Sequence, residues 1–174
     1  MKPTVALFHA PLCAIAIVTA LAAPARAENV LATHRLGAGL AAEAVSEAVA
    51  TCAKQGYKVT ATVVDTDGVT QALLRGDGAT MTALEASHDK AYTVLTLGAP
   101  RNEEASSAVA QRMGATPSPG GLAKLSHILL TPGAVVIRTG GEAIAAIGVG
   151  GAPGGDLDEA CAKAGLDKIG DRLK

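Results

Sequence analysis

Residue spacing in this chain points to an α+β fold, one antiparallel sheet flanked by helices. Three observations carry that expectation. Apolar residues recur at helical steps near both ends of the chain, two stretches alternate with period two around turn residues, and further helical segments lie between those stretches. The order is therefore helix, hairpin, helices, hairpin, helix. Strands joined as hairpins pair antiparallel, and the first and last helices can pack together over one sheet face.

The first helix is predicted over 40–54. Ala41, Ala44, Val45, Ala48, Val49 and Cys52 share a face, while Glu43, Ser46, Glu47 and Lys54 lie elsewhere, and Gly56 is placed to end it. Over 58–64 the period switches to two: Val59, Ala61 and Val63 take one face, and Lys58, Thr60 and Thr62 the other. Asp65-Thr66-Asp67-Gly68 is a turn, and 69–75 is the return strand. Thr82 and Glu85 fit a capping box for a helix that runs to about Leu97 and stops before Pro100. Asn102, followed by Glu103 and Glu104, reads as the N-cap of a helix reaching Met113 and Gly114. A loop over 116–121 leads to strands at 134–138 and 143–149. Gly150 to Gly155 is a glycine-rich turn, and Asp156 to Glu159 open the last helix, which carries Cys161.

The start of the chain reads as an export signal. Lys2 supplies the positive end, the run from Ala10 to Ala23 is apolar, and Ala25-Arg26-Ala27 is a small-x-small cleavage site before Glu28. That run is shorter than the roughly 20 apolar residues a membrane-spanning helix needs. The expectation is a cleaved signal over 1–27, one domain over 28–174, no span after cleavage, and a periplasmic or secreted location. Loss of Lys2 and Arg26 would move the formal net charge from −1 to about −3. That balance excludes a nucleic-acid partner, which needs a concentrated basic surface. With two tyrosines, one phenylalanine and no tryptophan, aromatic stacking platforms are excluded as a main device, and the core must be aliphatic. Cys52 and Cys161 would meet an oxidising compartment. An intramolecular disulfide, two buried thiols and an intermolecular bond all stay open.

Recognisable catalytic patterns are missing. There is no His-Glu-x-x-His, no Cys-x-x-Cys and no Gly-x-Ser-x-Gly, so the sequence gives hydrolytic or group-transfer catalysis no support. The run from Gly148 to Asp156 suits either a tight strand-to-helix connection or a backbone cradle for an anion. His88 and His127 read singly as satisfied or ambiguous histidines. His34 sits on a glycine-bearing lead before the first helix, where it is either solvated or in reach of a ligand on a neighbouring subunit.

Several segments together resemble the GlcG/HbpS-like family of haem-binding proteins. They are Val63 to Gly68, Arg75 to Ala79, Ala86 to Thr93, and above all Ile147 to Asp156 followed by Asp158 to Ile169. A similar domain is appended to PduO-type corrinoid adenosyltransferases. The resemblance implies a profilin-like sandwich that forms homo-oligomers and, in some members, holds haem non-covalently. Related proteins place an axial histidine near the start of the first helix, and His34 is the residue that most resembles it. By motif position, Arg75, Lys90 and Arg138 become candidates for pairing with haem propionates. One departure stands out: Pro132-Gly133-Ala134-Val135-Val136-Ile137 replaces the family's frequent Gly-Gly-x-Pro-Ile. The expected role is to sequester or transfer haem. The alternative is a haem-independent accessory module that binds a partner protein or small organic anion through the Gly150–Gly155 loop.

Overall fold

Both hairpins form and join edge to edge in a single sheet. In the computed structural model, which describes residues 31–116 and 120–174, β1 (Thr60–Asp65) pairs with β2 (Thr70–Arg75), and β3 (Ala134–Thr139) pairs with β4 (Glu142–Gly150). The strand order is β2-β1-β4-β3 and every pairing is antiparallel. Among the described residues four α-helices accompany it: α1 (Ala38–Lys54), α2 (Met81–Thr93), α3 (Ser106–Gly114) and α4 (Gly155–Ile169). The fold is the expected α+β sandwich, and Thr33–Lys174 is one compact unit. The expected export signal at 1–27 and part of the 116–121 loop lie outside the described residues. Among the described residues no helix is long and apolar enough to cross a membrane.

Period-two alternation assigns the strand residues to two layers. Val59, Ala61 and Val63 join Val135, Ile137, Ile147 and Val149 in a core closed by α1 and α4. Small side chains let those helices approach closely: a Cβ on Gly165 of α4 would lie 2.5 Å from the Ala44 carbonyl oxygen of α1. Cys52 and Cys161 lie on the same seam and are bonded, with Cα atoms 5.7 Å apart. On the opposite face, Val64, Ala134, Val136 and Ala146 pack with Ala91 and Val94. Thr60 and Thr62, polar by pattern, are fully buried there. The Thr62 hydroxyl donates to Ser87 Oγ at 2.7 Å, and Ser87 Oγ donates to the Leu84 carbonyl at 2.8 Å. The Thr62 and Ser87 hydroxyls satisfy each other across this contact, whereas Thr60 Oγ1 is buried without a hydrogen-bond partner among the described residues.

Several helix ends differ from expectation. α2 is capped by Thr80, whose hydroxyl accepts from Ala83 N at 3.1 Å, because the Gly76–Ala79 turn delivers the chain two residues before Thr82. Its α-helical part stops at Thr93, widens into a π-turn over Val94–Gly98, and tightens into a 3-10 turn over Ala99–Arg101 that contains Pro100. Asn102 then adopts φ 57°, closing that helix end rather than opening the next. α3 begins at Ser106 with a cap supplied from α4. Glu159 accepts from Ser107 N at 2.9 Å and from Ser107 Oγ at 2.6 Å. Glu103 and Glu104, freed from capping, pair with Arg112 at 2.6 Å and Arg138 at 2.9 Å.

Candidate functional site

His34 stands on a lead that is fastened at several points. Leu36 enters the core and its carbonyl accepts from Gln71 Nε2. Arg35 reaches the first hairpin turn, 2.7 Å from Asp67 Oδ2 and 3.4 Å from Asp65 Oδ2. His34 itself meets the start of β4: its backbone N–H donates to Glu142 Oε1 at 3.2 Å and its Nδ1 donates to Glu142 Oε2 at 2.6 Å. These bonds hold the Glu142 carboxyl below its ordinary value. A carboxylate can only accept, so it fixes the proton on Nδ1 and leaves the Nε2 lone pair as the free donor of the ring. The His34 side chain is 74% exposed, which keeps that nitrogen accessible.

Beside it lies a recess of about 180 Å³ lined by Leu36, Leu40, Ile144 and Leu173, with Arg35, Arg172 and Lys174 also on its wall. Arg172 is paired with Glu43 at 2.5 Å, and that contact lowers the Glu43 carboxyl and raises the guanidinium.

Arg75, Lys90 and Arg138 are not brought to this recess. Arg75 folds back on the Ala79 carbonyl, its Nε at 2.8 Å. Arg138 is divided among Glu104, the Ala99 carbonyl and the Gly141 carbonyl. Lys90 is buried, donating to Asp158 Oδ2 at 2.6 Å and to the Val149 carbonyl at 3.2 Å. Helical phase explains the last case, because Lys90 lies on the face of α2 that meets the sheet. The glycine-rich turn is likewise engaged internally: Asp158 Oδ1 accepts from Ala152 N at 2.9 Å. A carboxylate of the chain's own already takes an amide that an anion cradle would need.

Two histidines weighed singly in the sequence do meet. His88 Nδ1 and His127 Nδ1 lie 3.0 Å and 2.9 Å from the same atom, Asp89 Oδ1. His127 is 38 residues from Asp89 along the chain. Only the adjacency of His88 and Asp89 was visible beforehand.

The family model described as "Haem degrading protein HbpS-like" matches residues 36–167. The chain belongs to the HbpS-like family. A crystal structure of HbpS is 34% identical, with TM-score 0.73, covering 83% of this chain and 97% of that one. A double mutant of Streptomyces reticuli HbpS is 32% identical, with TM-score 0.73 and coverage of 85% and 96%. The PduOC:heme complex is 17% identical at TM-score 0.66, covering 78% and 96%, and shares the fold. No curated protein matches the chain. All three structures span the sandwich described above, so the HbpS-like assignment and the geometry concern the same region.

Proposed function

We propose that this HbpS-like chain binds haem non-covalently, with His34 as axial ligand, and sequesters or hands on haem in the periplasm or outside the cell. The observation that carries the ligand assignment is the 2.6 Å contact between His34 Nδ1 and Glu142. Iron-ligating histidines commonly use their second nitrogen in such a pair, which fixes tautomer and ring orientation and raises ligand basicity. The residues present fit haem in chemical type: one open imidazole nitrogen, aliphatic side chains at Leu36, Leu40, Ile144 and Leu173, and cationic groups at Arg35, Arg172 and Lys174. In this reading those three cations, which line the recess, exchange their carboxylate partners Asp67, Glu43 and Asp171 for the propionates, in place of Arg75, Lys90 and Arg138. The family's description and a same-fold neighbour in complex with haem support the ligand class.

Haem is larger than the recess. Its outer edge would therefore need a second surface, which a neighbouring copy in a homo-oligomer could supply. Bound haem contributes a redox-active iron and an intense chromophore. The protein contributes orientation and exclusion of water through aliphatic contact, worth roughly 25 cal/mol per Å². Titration of the purified protein with hemin should shift the Soret band. His34→Ala should weaken binding by at least about tenfold, and Glu142→Gln by a smaller factor. No Soret shift would sink the haem assignment, whereas a shift unchanged in His34→Ala would sink the ligand.

A further inference from the structure

We infer that the segment after α4, residues 170–174, is a strap that closes the His34 recess and must swing outward on Gly170 before haem can enter. The inference rests on the haem reading above. Arg172, Leu173 and Lys174 form one wall of the recess, with Leu36, Leu40 and Ile144 among the others. The enclosed volume, about 180 Å³, is too small for a porphyrin, so some wall has to yield. Leu36 and Ile144 are each 3% exposed and belong to the core under α1 and α4. Leu40 stands on α1, and Arg35 ties the lead to the first hairpin turn at 2.7 Å. Moving any of these would open packed interior. The segment 170–174 is attached differently. Of its side chains only Leu173 is half-buried, while Asp171, Arg172 and Lys174 are exposed.

Two polar pins hold the strap shut. Thr139 Oγ1, at the end of β3, donates to the Leu173 carbonyl at 2.6 Å. Arg172 donates from both terminal nitrogens to Glu43 on α1, at 3.0 Å and 2.5 Å. Both members of that pair are about half exposed, and exposed pairs hold weakly. A hinge lies between strap and helix. Ile169 is fully buried and anchors the last turn of α4. Gly170, next to it, has no other part of the fold within 4 Å of where a Cβ would stand. Glycine leaves both backbone dihedrals free, so the chain can turn there without meeting a neighbour. Arg172 also has two claimants. Glu43 holds it with the strap shut, and a haem propionate takes it with the strap open, one carboxylate replacing another with no covalent bond broken. Haem capture therefore draws one pin, and Glu43 competes with the ligand.

The test is stopped-flow mixing of the full-length protein with hemin, with amide exchange over 171–174 measured in parallel on the haem-free protein. If entry waits on an open strap, the association rate follows the open population. Thr139→Val and Glu43→Gln should each speed association about threefold. Gly170→Ala, which fits sterically but restricts the hinge, should slow it about twofold. Glu43→Gln should also tighten binding, because the competitor for Arg172 is gone. Arg172→Gln should speed association yet weaken affinity, since it removes a pin and a propionate partner together. Amide exchange in the haem-free variants should follow the same order, with Gly170→Ala slowest. General loosening of the fold cannot both slow and speed entry, so the opposed signs separate hinge from misfolding. Equal association rates in wild type and every variant, with hemin still bound, would overturn the strap and leave the haem reading standing. Amide exchange unchanged by removal of either pin would overturn it as well. Absence of any Soret shift in wild type would instead remove the haem reading, and the strap's role with it.

Discussion

Lys90 and Asp158 form a buried ion pair, with side chains 7% and 3% exposed. Burial raises the Asp158 carboxyl above its ordinary value, with Lys90 and the Ala152 amide pulling the other way. Such a pair owes its importance to the cost of breaking it, because one partner alone leaves an uncompensated buried charge. Asp158→Ala should therefore lower unfolding free energy by about 3–5 kcal/mol. The double variant Lys90→Met/Asp158→Leu should lose less than Asp158→Ala does. Urea unfolding of the single and double variants checks this, and a double variant no more stable than the single would refute the coupling. The Ala86–Thr93 motif advertised a lysine, but whether that ammonium met solvent or a carboxylate depended on α4, 68 residues away. His34 has the same dependence, since its partner Glu142 lies 108 residues on. Residue types were readable in the chain, whereas their partners were not.

Helix placement follows from side-chain size at the contacts. α2 lies against β4 so closely that a Cβ on Gly148 would come 2.2 Å from the Ser87 carbonyl oxygen and 2.8 Å from Ala91 N. Both obstacles are backbone, so neither can swing aside. Gly148→Ala should destabilise by about 1–3 kcal/mol or more through overpacking and should move α2, which carries His88 and Asp89. Denaturant unfolding together with hydrogen exchange of the α2 amides in this variant measures both effects. Element type and order were legible because apolar periodicity is local. Helix ends were not. Thr82 and Glu85 offered a capping box, yet the preceding turn put Thr80 at the cap. Asn102 offered an N-cap, yet Pro100 and the π-turn before it made Asn102 a helix terminator. The cap of α3 came from Glu159, on an element no local pattern connects to it.

At the scale of the molecule, the first and last helices are joined covalently across 109 residues of chain. Closing so long a loop removes much conformational freedom from the unfolded chain. Reduction, or Cys52→Ala/Cys161→Ala, should cost about 2–5 kcal/mol, read as a drop in unfolding midpoint with the native far-ultraviolet spectrum retained. The same seam carries the lead with His34, so the disulfide variant also tests whether that corner depends on α1 and α4 remaining docked.

Local pattern was sufficient for the sequence of elements, the antiparallel hairpins and the family resemblance, because each depends on residues close together in the chain, and the pairing of the terminal helices followed from that order of elements. Packing in three dimensions settled the rest. It buried Thr60 and Thr62 under α2, withdrew Lys90 and Arg138 into internal pairs, bonded Cys52 to Cys161, and gathered His88, Asp89 and His127 around one oxygen. Thr60 Oγ1 finds no partner there among the described residues, but for the other groups the physical reason is shared. A polar or charged group takes the partner that the folded backbone carries within about 3 Å, and that partner belongs to a distant segment.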